Sequence, residues 1–219
     1  MITYEQIRTD ADITTYIQHA DRTLKALGYT EHSLAHVTRV AVVAGDILEA
    51  LGYDTRTVEL ARIAGHMHDI GNLVNRIDHS QSGAVMAFRL LDMRGMSPED
   101  ICTVTTAIGN HDEGTGVPVD EVCAALIIAD KSDVRRSRVR NTDPATFDIH
   151  DRVNYSVTHS KLTINEDKKE IELSLTLDKQ YSSIMEYFEI FLERMNLCRR
   201  AAERLGLRFR LRINDQLHL

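Results

Sequence analysis

Three things are missing from this sequence: an excess of positive charge, an apolar run as long as a membrane span, and any pairing pattern among its cysteines. The formal net charge is -7 over 219 residues, which argues against a dedicated binder of nucleic acid or of an anionic membrane, although a local basic patch stays open. The opening Met1-Ile2-Thr3-Tyr4-Glu5-Gln6 lacks the basic stretch and apolar core of a secretory leader. A cytoplasmic location is the expectation. Cys102, Cys123 and Cys198 are odd in number, far apart and in no Cys-x-x-Cys spacing. Neither a disulfide framework nor a zinc ribbon is supported, and reduced thiols in the core are expected.

What is present is an ordinary soluble composition, 43% hydrophobic and 27% charged, in a chain long enough for one domain and a smaller appendage. The hydrophobic period is helical over residues 1–142 and changes to two afterwards. Val153, Tyr155 and Val157 alternate, then Leu162 and Ile164; after the turn Asn165–Lys169 come Ile171, Leu173, Leu175 and Leu177. A long amphipathic helix with Ile184, Tyr187, Phe188, Phe191, Leu192, Met195 and Cys198 follows, and a last strand with Leu207, Phe209, Leu211 and Ile213. The fold class expected is mainly α, a helical domain over 1–142 followed by a small α+β appendage over 150–219, in which one helix covers a three-stranded antiparallel sheet.

The chemistry-bearing residues lie on the helical part. A helix from about 31 to 51 ends at Gly52 and carries His36 beside its buried stripe, where a lone histidine is usually a satisfied core residue. His32, a turn earlier, is expected to be solvated or to support a neighbour. A helix over 57–67 delivers His68 and Asp69 at its end. His79 stands near the start of the next helix, which Ser80 or Ser82 could cap. Ser97-Pro98-Glu99-Asp100 is a strong helix start, and Ile101, Val104, Ile108 and His111 then share one face. On the next helix, Asp130 emerges from the apolar wall of Val122, Ala125, Leu126 and Ala129; its carboxylate needs a cation, hydrogen bonds or solvent, because burial without partners costs several kcal/mol. Arg135 and Arg136 follow, either complementing the helix dipole or contacting phosphate.

His-Asp dipeptides alone carry no weight, since His111-Asp112 and His150-Asp151 repeat the pattern. The order His36, His68-Asp69, His79, His111, Asp130 does carry weight. With Ala64-Gly65-His66-Met67-His68-Asp69-Ile70-Gly71 as its name-giving segment, it resembles the HD superfamily of metal-dependent phosphohydrolases over about residues 30–140. His79-Ser80-Gln81-Ser82-Gly83-Ala84 is similar to the bacterial diadenosine-tetraphosphate hydrolases of that superfamily. Gly114-Thr115-Gly116-Val117-Pro118 resembles the HD-GYP cyclic-di-GMP phosphodiesterases, with Val117 in place of the tyrosine. The resemblance implies an all-α fold and a first metal held by His36, His68, Asp69 and Asp130. It further implies that Asp69 bridges to a second ion on His79 and His111. Imidazole and carboxylate suit iron, manganese, cobalt, nickel or zinc, and one or two such ions would activate water against a phosphoester or phosphoanhydride of a nucleotide or dinucleotide. Asp69, Asp112 and Lys131 are the catalytic candidates, with Arg135 and Arg136 as phosphate contacts. Two alternatives are an HD-fold di-iron oxygenase and a non-catalytic HD signalling module. The appendage is a candidate surface for homodimerisation.

Overall fold

The structure, a computed structural model, describes residues 1–219. Seven helices come first: α1 (Tyr4–Arg8), α2 (Ala11–Ala26), α3 (Leu34–Leu51), α4 (Thr55–Met67), α5 (His79–Met93), α6 (Pro98–Gly109) and α7 (Glu121–Ser132). Most of them start on side-chain caps. Asp10, Ser33, Asp54, Ser97 and Asp120 accept main-chain N–H groups of their first turns, which satisfies donors that a helix start leaves over. At α5 the expectation fails: neither serine caps it, Asp78 precedes it in the left-handed region (φ 56°) without a side-chain cap bond, and His79 is its first residue. Asp78 thus turns the chain sharply so that His79 enters the helix facing inward.

α7 is buried from Val122 to Ala129 on every side rather than along one stripe, the pattern of a helix at the centre of a core. It packs on α3, α4 and α6. Asp130, near its C-terminal end, is therefore delivered to the middle of the molecule.

The remaining elements are α8 (Ile149–Ser156), β1 (Val157–Ile164), β2 (Glu170–Leu177), α9 (Ile184–Arg204), β3 (Arg208–Ile213) and β4 (Gln216–Leu217). Two expectations need correction. Residues 149–156 are helical, because Asp148 caps the Asp151 N–H and Val153 is the buried residue one turn after the half-buried Ile149; spacing of four, not two, governs there. The sheet has four strands in the order β1-β2-β3-β4, and β2 and β3 are parallel, with Ile171 opposite Phe209 and Leu173 opposite Leu211. The 21 residues of α9 span about 30 Å and carry the chain back to the starting end of the sheet, which sets the next strand parallel. The other face of β3 is half exposed, with Arg210 on Glu170 and Arg212 on Glu172.

One hydrophobic cluster of 50 residues runs through both parts, from Val40 and Ile63 through Leu126 to Phe191, Met195 and Leu211. α9 packs directly against α7. Cys123 and Cys198 are within this core and burial pushes both thiols up to about 12; Cys102 is exposed instead. Each large apolar side chain uncovered is worth about 1.5–3 kcal/mol, so removing α9 strips several such contributions from α7. A chain ending at residue 142 is expected to lose cooperative thermal unfolding in circular dichroism. A sharp transition near that of the full chain would show that the helical part stands alone.

Candidate metal centre

Four imidazoles and two carboxylates meet where α3, α4, α5, α6 and α7 converge. His36 Nε2 is 3.6 Å from Asp69 Oδ2 and 3.4 Å from Asp130 Oδ1. His68 Nε2 is 3.2 Å from Asp69 Oδ2 and 3.7 Å from Asp130 Oδ1. On the other side, His79 Nε2 is 3.5 Å from Asp69 Oδ1 and 3.2 Å from His111 Nε2. Asp69 therefore presents one oxygen to each group. All six residues that the sequence order singled out are brought together.

Each ring is turned the same way by its other nitrogen. His36 Nδ1 is 2.7 Å from Asp133 Oδ2, His68 Nδ1 2.8 Å from the Gly65 carbonyl, His79 Nδ1 3.1 Å from the Arg76 carbonyl and His111 Nδ1 2.6 Å from the Ile108 carbonyl. These partners are acceptors, so Nδ1 carries the proton in every case and a neutral ring points its Nε2 lone pair inward. Inside, the lone pairs of His36, His68 and His79 face carboxylate oxygens, and that of His111 faces His79 Nε2. His36 Nε2 and His68 Nε2 are buried with no hydrogen-bond partner.

Lone pairs opposed to carboxylates in a buried space require a positive charge between them. A proton can serve one nitrogen. Burial works against protonating His68, but Asp69 and Asp130 outweigh it and lift its pKa to about 10, a measure of how strongly the cluster draws a cation. Burial would also raise Asp69 and Asp130, yet His68, and for Asp130 first Lys131, hold both well below the usual carboxylate range. His111 and His79 are pushed down by burial and stay ready as neutral donors. Metal bonds of about 2.0–2.2 Å place adjacent donors about 3–3.5 Å apart, close to the spacings here. The groups His36, His68, Asp130 and His68, Asp69, His111 could each hold a metal ion, and a divalent transition ion fits this donor set.

The supporting structure is equally specific. Asn72 donates to Asp69 Oδ1 (2.9 Å) and to the Asp69 carbonyl (3.0 Å), fixing the carboxylate plane. Gly65 and Gly71 leave no room for a Cβ: at Gly65 it would stand 2.7 Å from the Ala41 backbone, and at Gly71 2.0 Å from the His79 carbonyl oxygen. Those contacts let α4 close on α3 and let the 3-10 turn Ile70–Leu73 touch the start of α5. His66, although in the name-giving segment, faces away and lies edge-on to Tyr4.

The donors open into a cavity of about 350 Å³. Lys131 reaches it, but its Nζ is 2.8 Å from Asp130 Oδ2 and 2.6 Å from Glu113 Oε2, so it holds Asp130 rather than standing free. Asp112 approaches His79 Nε2 only to 4.0 Å. Arg135 and Arg136 do not line the cavity, which corrects their assignment as phosphate contacts. Arg135 is drawn to Asp133 and Glu31, Arg136 to the Tyr155 carbonyl and Asp178, because the chain leaves α7 in an extended turn that points both outward. Arg76, Arg138 and Arg194 line it instead, and His32 stands at its wall with its ring edge-on to His36. Arg194 had a sequence signal, since it interrupts the apolar stripe of α9 between Phe191 and Met195, and so did Asp133, the partner of His36 Nδ1, which follows Asp130 by three residues at the C-cap of α7.

No curated protein sequence matches the chain. Among solved structures, it is similar to a predicted HD superfamily hydrolase from an uncultured Thermotogales bacterium, at 24% identity and a TM-score of 0.45, over 57% of this chain and 67% of that one. The model of the HD domain family matches residues 33–136. That span begins at the cap of α3 and closes just beyond Asp130, enclosing every donor described above, and over this part the chain matches the HD domain family.

Proposed function

We propose that this protein is a metal-dependent phosphohydrolase that cleaves a phosphoester or phosphoanhydride, with a nucleotide or dinucleotide as substrate. The observation that carries this reading is the convergence of four inward Nε2 atoms on the buried carboxylate of Asp69 and the partly buried one of Asp130, at a cavity lined by guanidinium groups. In this reading His36, His68, Asp69 and Asp130 hold one ion, and Asp69, His79 and His111 hold another. A divalent ion there supplies Lewis-acid polarisation of a phosphoryl oxygen and a more acidic water. The rest is done by the chain itself. Asn72 and Lys131 keep Asp69 and Asp130 in orientation, Asp133 holds the His36 ring, and the half-exposed carboxylate of Asp112 beside His79 is the candidate proton acceptor. Residues 1–142 then form the unit that carries the donors. Residues 150–219 form an appendage that supplies one wall of the cavity and, through the edge strand β1, a surface where a second copy could pair.

The test is a screen of mono-, di- and cyclic nucleotides with protein reconstituted in iron, manganese or cobalt. Hydrolysis is expected that disappears on chelation and returns with metal. Chelation is also expected to lower the melting temperature, since a ligand at a hundred times its Kd adds about 2.7 kcal/mol. No turnover with any metal, and no change of melting temperature on chelation, would refute the reading.

A further inference from the structure

Four permanent cations line the cavity, and three have their charge answered within the protein. Lys131 is paired with Asp130 and Glu113, Arg194 with Glu113 at 2.8 Å, and Arg138 with Asp133 at 3.8 Å while donating to the carbonyls of Glu31 and Asp133. Arg76 has no carboxylate within 4.0 Å. Its contacts are long and neutral: Nη1 is 3.4 Å from Asn72 Oδ1 and 3.5 Å from His79 Nε2, and the guanidinium carbon is 5.8 Å from the centre of the Tyr29 ring. Here a half-buried cation is held by an amide, an aromatic face and an imidazole that itself belongs to the donor cluster.

Placing a guanidinium against a metal-ligating imidazole is unfavourable by charge alone, because the ring nitrogen shares the positive charge of whatever it binds. The arrangement becomes favourable once an anion sits between the two. A phosphoryl group is of the right kind, since the planar fork of arginine matches two of its oxygens while a third reaches the ion side. We propose that Arg76, in the connection between the 3-10 turn and α5, is the substrate-recognition cation of this site and takes the phosphoryl oxygens that an ion held by His79 and His111 would leave free. This rests on the metal-hydrolase reading and adds the residue that selects a phosphorylated ligand. Asn72 and Tyr29 are its positioning partners, one limiting its reach and the other supporting its face.

The experiment measures inorganic phosphate binding to manganese-loaded protein by titration calorimetry, with manganese affinity measured separately by electron paramagnetic resonance. Arg76→Gln is expected to weaken phosphate binding by about 10- to 100-fold, the usual weight of a hydrogen bond to a charged group, with manganese affinity unchanged. Arg76→Lys keeps the charge without the fork and is expected to fall between them. Phosphate bound by Arg76→Gln within about twofold of the unsubstituted protein overturns the proposal, as does a loss of manganese affinity in that variant, which would make Arg76 a support for His79 only. Failure of the unsubstituted protein to bind manganese at all would remove the underlying reading together with the proposal, and the manganese arm tells this failure from the others.

Discussion

Asp69→Asn is expected to lose phosphoester hydrolysis by roughly a thousandfold or more and to lose bound metal with it. The substitution keeps the shape, and Asn72 can still donate to the remaining oxygen. What it removes is the charge. Asp69 is the one carboxylate within reach of His36, His68 and His79 together, at 3.6, 3.2 and 3.5 Å, so both donor groups weaken at once. Substitution of His111, which belongs to one group, is expected to cost less than Asp69→Asn and to leave metal in the other. Metal content by mass spectrometry and turnover on the best nucleotide of the screen check this. An Asp69→Asn protein that keeps more than a tenth of its turnover would rule out the shared carboxylate.

Lys131→Met is expected to be the most destabilising single change near the site. Lys131 is 3% exposed, and although burial opposes its charge, Asp130 and Glu113 raise its pKa and keep it ionised. Taking it away leaves Asp130 and Glu113 in the interior with a shared cation gone. Breaking a buried ion pair from one side costs about 3–5 kcal/mol, or roughly 10 °C in melting temperature for a chain of this size. Glu113 keeps Arg194, but Asp130 has only the imidazoles. Added manganese is therefore expected to restore part of the lost stability, which separates this change from an ordinary core defect. A shift below about 2 °C in the metal-free protein, read by calorimetry, would mean that the ammonium is not needed there.

The local steps of this fold were open to reading because they depend on neighbours in sequence. Gly52 ends α3, Ser97 with Pro98 starts α6, and the alternation in Ile171, Leu173, Leu175 and Leu177 makes β2. Where two local rules compete, the longer-range one decided. Tyr155 and Val157 alternate well enough for a strand, yet the cap at Asp148 and the burial of Val153 keep residues 149–156 helical. The parallel pairing of β2 with β3 is likewise invisible to a pattern of period two, since alternation is the same for either direction of the partner.

What the sequence by itself determined is the order of His36, His68, Asp69, His79, His111 and Asp130, which resembles the HD pattern, and their places at helix ends or on inner faces; none of them stood out alone, because a single buried polar group can be satisfied by hydrogen bonds. Only the tertiary structure decided which cations face that set. Arg135 and Arg136 adjoin Asp130 in the chain but are turned to Asp133, Glu31 and Asp178, while Arg76, in the connection before α5, and Arg194, on α9, line the cavity. The physical reason is reach. A ligand on a rigid helix is aimed by its own backbone, whereas a long flexible arginine goes to whichever carboxylate or cavity the packing of other elements puts within its span.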